Sequence, residues 1–234
     1  MKIEVRRNIL EANESLAREN RTFFTSNRVL AVNVMAAPGA GKTSTILRTI
    51  EKLAGKIDFA VIEGDIASRI DADTMEKRGI PVEQINTGNM CHLDANMIRH
   101  AAERFSFNQR TILFIENVGN LVCPSEFSLG EDLNIVIAST TEGHDKPYKY
   151  PTIYLHADAV LINKSDLLDA MEFDRSVYGE GVSAVNPVAP IMEISCKTGI
   201  GMETWARWLL EKYFEKYPSP RNSLCATYCN SEKP

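Results

Sequence analysis

Ala36-Ala37-Pro38-Gly39-Ala40-Gly41-Lys42-Thr43 constrains the fold more than any other stretch of this 234-residue sequence. It follows a short β-branched apolar run, Val29–Met35, and opens a helical stretch at about 42–54. A glycine-rich turn between strand and helix lets backbone N–H groups curl around phosphates, and the helix N-terminus adds its positive end. Lys42 is then placed to reach β- and γ-phosphates, and the Thr43 hydroxyl to bind Mg²⁺. Gly39, Ala40, Gly41 and Ser44 complete this nucleotide-binding loop. Ala36 stands where such loops usually have their first glycine, which is tolerable if its φ is negative.

Further strand-like runs occupy 59–62, 82–86, 111–115, 135–139, 159–163 and 190–195, with helical stretches at about 72–78, 93–105 and 202–217. Strands alternating with helices predict an α/β fold with a mostly parallel sheet and helices on both faces. Residues 173–185 are ambiguous, because Gly179 and Gly181 weaken a helix. Residues 1–28 read as an amphipathic helix with Val5, Ile9, Ala12, Leu16 and Phe23 on its apolar side, packed on a domain of 29–217. From 218 to 234 the sequence turns polar and rich in Pro and Ser, and reads as a tail.

Composition narrows the partners. Lys plus Arg total 26 against 31 for Asp plus Glu, a net charge of −5, so no basic footprint for nucleic acid or anionic lipid is present. No apolar run approaches the roughly 18 residues of a membrane span. The charged N-terminus lacks the apolar core of a signal peptide, so the cytosol is the expected compartment. The five cysteines, Cys91, Cys123, Cys196, Cys225 and Cys229, are odd in number and scattered, which excludes a disulfide framework.

Asn163-Lys164-Ser165-Asp166 ends a predicted strand late in the chain. A carboxylate at 166 can accept from guanine N1–H and the 2-amino group, whereas adenine would leave it unpaired. The stem of Lys164 can lie along the base, and Ser195-Cys196-Lys197 falls where a second base-contacting loop is expected. The nucleotide predicted is therefore GTP or GDP. Asp65 and Asp71 follow the second strand-like run, and Glu116 ends the fourth, three residues before Gly119. Carboxylates at such strand ends hold Mg²⁺ directly or through water, so Lys42, Thr43, Asp65 and Glu116 are the expected catalytic set. Asp71 could also cap a helix. The Gly119 N–H could meet the γ-phosphate. No glutamine is evident to position water and no arginine finger is seen, which predicts slow intrinsic hydrolysis aided by a dimer or partner.

Cys91-His92 stands in a predicted loop before a helix, and Cys123 lies four residues after Gly119. Two thiolates and an imidazole suit Zn²⁺ or Ni²⁺, and an incomplete tetrahedral set suggests sharing across a two-fold axis. The alternative is that both thiols merely pack. Cys196 is expected to pack near the base. His100, His144 and His156 receive no role, and Cys225 and Cys229 none.

INTGNMCHLDANMIRHA, FIENVGNLVCPSEFSLGED, STTEGHDKPYKYP and INKSDLL together closely resemble the HypB family of hydrogenase nickel-incorporation GTPases, over about residues 5–217. The resemblance implies a P-loop GTPase of the SIMIBI type that dimerises with nucleotide. It implies nickel delivery to the large subunit of [NiFe]-hydrogenase, together with a HypA-type nickel metallochaperone. It assigns Cys91, His92 and Cys123 to a metal site at the dimer interface. Thr43, Asp65, Asp71 and Glu116 match positions around Mg²⁺ and the phosphates, and Lys149 matches a lysine that reaches the partner's nucleotide. The N-terminus has neither the Cys-rich motif nor the His-rich tract of some members, which speaks against nickel storage. The rival readings are a urease-type accessory GTPase, which typically carries Cys-Pro-His where this chain has Cys91-His92, a P-loop kinase, and a nucleotide switch without metal.

Overall fold

A computed structural model describes residues 2–66, 69–88, 90–107 and 110–218, without the side chains of 2–6. The predicted tail lies outside the described residues from 219 onward, with Cys225 and Cys229. The chain runs α1 (Lys2–Ser26), β1 (Val29–Ala36), α2 (Lys42–Leu53), β2 (Asp58–Asp65), α3 (Ile70–Glu76), β3 (Val82–Asn86), α4 (Ala95–Ala102) and β4 (Thr111–Glu116). It continues through β5 (Leu133–Ser139), α5 (Lys146–Lys149), α6 (Pro151–Leu155), β6 (Ala159–Asn163), α7 (Arg175–Val185), β7 (Ile191–Glu193) and α8 (Met202–Lys216). Short 3₁₀ turns lie at Cys123–Glu126, Thr140–Glu142 and Ser165–Ala170.

The seven strands form one sheet in the order β3-β2-β4-β1-β5-β6-β7. Every pairing is parallel, with Val29 facing Thr111 and Val32 facing Leu133 across the central strand. A parallel sheet covered on both faces needs apolar side chains on both, and β1 is buried at all eight positions. The period of two divides them: Leu30, Val32 and Val34 pack with Ile46, Trp205 and Leu209 of α2 and α8. Val29 and Ala31 pack on the other face with Phe24 of α1 and Ile98 of α4. Tyr154, Tyr178 and Val182 of α6 and α7 cover Val136 and Val160 on β5 and β6.

The structure resolves one ambiguity and corrects one expectation. Residues 173–185 are helical from Arg175, capped by the Asp174 carboxylate on the N–H groups of Ser176 and Val177. Gly181 lies close against α5: a Cβ there would stand 2.7 Å from the Tyr148 ring, which would have to shift. The predicted apolar side of α1 is also rotated. Ile9 is 54% exposed and Ala12 is exposed, whereas Asn13, Ala17, Asn20 and Phe24 are buried. Val5 lies among the residues whose side chains are not described. No helix among the described residues is long and apolar enough to cross a membrane.

Candidate functional site

Because all strands run parallel, the ends of β1 through β7 deliver their following loops to one edge of the sheet, where ligands of α/β folds bind. The turn after β1 holds Gly39 at φ +77° and Gly41 at φ +99°, conformations that a side chain would strain. Among the described non-glycine residues only Arg28 and Lys164 have positive φ, so Ala36 replaces glycine without strain. A Cβ on Gly41 would lie 2.4 Å from Asn163 Nδ2. Asn163 donates to the Ala40 carbonyl at 2.8 Å and accepts from the Cys196 N–H at 3.3 Å. Lys164 donates to the Gly39 carbonyl at 2.8 Å. The turn is thus sewn to the loops after β6 and β7.

Asp166 accepts from the Ser195 hydroxyl at 2.6 Å. Gly39, Gly41, Ser44, Asn163, Lys164, Asp166, Cys196 and Lys197 line one open cleft of about 580 Å³, a size that suits a small ligand. Burial pushes the Cys196 thiol up, and its Sγ lies 3.3 Å from Thr45 Oγ1.

At the other end of the turn the Thr43 hydroxyl lies 2.7 Å from Glu116 Oε1 and 3.1 Å from Asp71 Oδ2. Asp71 does not cap its helix. The cap position of α3 is Arg69, and the Asp71 side chain turns to Thr43 instead. Glu63 stands opposite Glu116 in the β2–β4 register. Burial first, then the charges of Glu116, Asp65 and Asp71, push Glu63 up to about 8. Burial pushes Glu116 to about 7 against the pull of Lys42 and Thr43. Like charges directly opposed across a sheet destabilise it. One oxygen of each, Glu63 Oε2 and Glu116 Oε2, is buried without a hydrogen bond. Orphaned carboxylate oxygens beside a threonine hydroxyl form a donor set for a hard divalent cation, and they fit Mg²⁺.

Glu63 is the residue that the sequence reading passed over. Its signal was an acid directly after the apolar run 59–62, where only a buried partner explains it. Glu142 was also missed. Burial raises it despite Lys146, Lys164 and Lys42 nearby, and its Oε1 has no partner.

The loop after β4 turns back on both regions. A Cβ on Gly119 would lie 3.0 Å from Pro38, so 117–119 rests on the phosphate turn. Asn117 is fully buried and accepts from the N–H groups of Val118 at 3.0 Å and Leu93 at 3.2 Å. It donates to Asn33 on β1, which donates to Asn134 on β5. Asn120 donates to the Cys91 carbonyl at 3.3 Å.

These ties bring together Cys91, His92 and Cys123, whose ligating atoms lie within 4.8 Å of one another. Around tetrahedral zinc such atoms stand roughly 3.4–3.8 Å apart, a small closure from here. The His92 ring stacks on Phe127 with centroids 4.0 Å apart, which fixes its plane. Burial lowers His92, keeping the imidazole neutral, which is the ligating form. A hydrogen bond with Cys91 and then burial hold the Cys123 thiol up. All three residues are half-buried and open to exchange.

Lys149 is not brought to the cleft within the chain. It pairs with Asp145 on the exposed surface of α5. His144 accepts from the Asp174 N–H at 3.2 Å, a structural tie to α7, while His100 and His156 are exposed.

The description "CobW/HypB/UreG, nucleotide-binding domain" matches residues 30–193. The hydrogenase maturation factor HypB of Rhizobium leguminosarum bv. viciae is 44% identical over 207 residues, covering 88% of this chain and 69% of that protein. The hydrogenase/urease maturation factor HypB of Helicobacter pylori is 40% identical, covering 93% of this chain and 90% of that protein. The crystal structure of HypB from Helicobacter pylori in complex with nickel superposes with a TM-score of 0.84 at 38% identity, covering 90% of this chain and 99% of that one.

Proposed function

This chain belongs to the CobW/HypB/UreG family, in its HypB branch, and on that premise we propose that it is a GTP-hydrolysing metallochaperone that inserts nickel during [NiFe]-hydrogenase maturation. The observation that carries this reading is the pair of asparagines, Asn117 and Asn120, that ties the Cys91-His92 loop to the turn resting on the phosphate loop. A shift of 117–119 on nucleotide exchange reaches the metal ligands through two hydrogen bonds.

On this reading the base sits in the cleft against Asp166, with Asn163, Lys164, Ser195, Cys196 and Lys197 around it. Gly39 through Ser44 cradle the phosphates, and Gly119 meets the γ-phosphate. Thr43, Asp65, Asp71 and Glu116, joined by Glu63, would hold Mg²⁺, and the cation would supply neutralisation of the negative charge that develops on phosphoryl transfer. Lys42 adds a fixed cation to the same oxygens. Water attacks the γ-phosphorus, the bond to the β-γ bridging oxygen breaks, and GDP and inorganic phosphate leave. The sequence offers no evident glutamine for that water and no evident arginine finger, and the expected intrinsic rate is slow. Cys91, His92 and Cys123 take Ni²⁺ or Zn²⁺, with the fourth position completed across a nucleotide-dependent homodimer. Lys149 then leaves Asp145 for the partner's nucleotide. A HypA-type metallochaperone and the hydrogenase large subunit are the expected exchange partners, in the cytosol. The guanine-binding residues around the cleft speak against the kinase alternative. The direct Cys91-His92 step favours the HypB branch over a urease-type accessory GTPase.

The test is equilibrium titration of Ni²⁺ and Zn²⁺ in the GDP state and in a GTP-analogue state, with mass measured by light scattering. A coupling of about 1–3 kcal/mol changes metal affinity by about 5- to 150-fold between the two states, with a dimer in one of them. Equal affinities and a monomer in both would overturn the reading. Competition by ATP as strong as by GTP would overturn the guanine assignment.

A further inference from the structure

Asn13 and Asn20 are polar residues on the buried side of a helix that reads as amphipathic, and both are nearly inaccessible, at 7% and 1%. Seven residues apart, they share one face of α1. Each makes the same pair of connections. Asn13 accepts from the Ala95 N–H at 2.9 Å and donates to the Ser128 carbonyl at 2.8 Å. Asn20 donates to the Ala95 carbonyl at 2.8 Å and to the Leu129 carbonyl at 3.0 Å.

Ala95 follows His92 by three residues, and Ser128 follows Cys123 by five. The two bonded points are therefore the downstream ends of the two arms that carry the candidate metal ligands. The second arm is pressed onto α1 along its length. Arg21 donates to the Glu131 carbonyl at 3.1 Å, and Gly130 at φ +90° approaches so closely that a Cβ would lie 2.5 Å from the Ala17 carbonyl oxygen. Phe127, between Cys123 and Ser128, stacks on the His92 ring and joins the arms near the ligands.

We propose that Asn13 and Asn20 are positioning residues for metal binding, and that α1 is a splint setting the spacing of the Cys91-His92 arm against the Cys123 arm. This rests on the metal reading of that trio. Neither asparagine is a ligand. Each acts through backbone groups, much as outer-shell partners fix the ligands they hold. A polar pair on the buried face of a helix would otherwise be a poor choice, since leucine would bury more apolar area without desolvating an amide. Because α1 packs across the sheet from the base cleft's helix α2, the splint acts on the two metal arms and not directly on the base cleft.

The test uses the full chain with Ni²⁺ for affinity and Co²⁺ for its ligand-field and thiolate charge-transfer bands. Asn20→Leu removes both donors of one rung while keeping the branched skeleton of the side chain. Asn13→Ala removes both bonds of the other rung without adding a buried charge, which gives the second variant. Both are expected to weaken Ni²⁺ binding, Asn20→Leu by about 10- to 100-fold, and to shift the Co²⁺ bands. GDP affinity should stay within about twofold, far below that loss. Wild-type affinity and spectrum in both variants overturn the inference. So does a parallel fall in GDP affinity, since α1 would then serve the whole fold. Cys91→Ala is the control on the site: if it binds Ni²⁺ like the wild type, the metal reading itself fails and takes the splint with it.

Discussion

Two groups of candidate metal ligands stand on the same edge of the sheet, and they are built in opposite ways. The first, Glu63, Asp65, Asp71 and Glu116 around Thr43, has three acids inside strands, two of which, Glu63 and Glu116, are in register across the β2–β4 ladder and almost inaccessible. Its donors are hard oxygens held in place by the sheet. The second, Cys91, His92 and Cys123, consists of soft donors on loops, all half-buried, with three ligands instead of a closed set. On the proposed function the first holds a cofactor that stays through the reaction, and the second holds a cargo that must leave. Burial and sheet register suit retention, while exposure and an open coordination position suit transfer.

The comparison can be broken most forcefully from the nucleotide side. Lys42→Ala removes the cation facing the phosphates and should lower GTP hydrolysis by about 100- to 1,000-fold. Nickel affinity without nucleotide should be unchanged, and its dependence on nucleotide should vanish. A loss of nickel binding in the nucleotide-free variant would mean that the two sites are one structural unit. Cys123→Ala is the converse experiment. It should weaken nickel by more than about 100-fold, since even outer-shell partners are worth about 10- to 100-fold, and leave the GDP affinity as in wild type. Calorimetry reads both affinities.

A third prediction sharpens the difference in burial. Glu63 and Glu116 are raised to about 8 and about 7 in the metal-free fold. Their unfolded values are lower, so the folded chain holds more protons in between. The contribution of these two groups to stability without Mg²⁺ should therefore be fully present below the ordinary carboxylate range and be lost as pH rises through 7 to 8. Saturating Mg²⁺ should flatten that loss, because the cation stabilises the charged carboxylates. Thermal melting across pH with and without Mg²⁺ checks it, and a metal-free stability that rises over this range would contradict the buried-carboxylate account. The smallest effect belongs to the loop site. Asn120→Ala removes one 3.3 Å bond to the Cys91 carbonyl. It should weaken nickel by about two- to tenfold, the worth of a single net hydrogen bond.

Much of the nucleotide side was legible in the sequence, because its residues are contiguous. The Gly39–Thr43 turn needs local conformations and a following helix, and Asn163–Asp166 needs only a strand end. Short-range rules specify both. The strand at 159–163 and that at 82–86 coincide with the structure to the residue. Glu63 was harder, since its meaning comes from Glu116 fifty-three residues away and opposite it in register. α1 was harder again. Helical periodicity found the helix and then favoured Ile9 and Ala12 over Asn13 and Asn20, because a pattern of apolarity cannot see that a partner backbone waits for an amide.

By itself the sequence determined an α/β fold with a phosphate turn, the Asn163–Asp166 tetrad and three thiol and imidazole side chains worth examining together. These follow from local steric and hydrogen-bonding preferences that neighbours in sequence already satisfy. Only the tertiary structure decided that the acids of β2 and β4 oppose each other in a dry ladder. It alone placed Cys91, His92 and Cys123 within reach of one another, and turned the asparagine face of α1 inward. The physical reason is common to all three. Each depends on burial and on backbone groups supplied by distant segments, and their cost or benefit exists only once the sheet has brought those segments together.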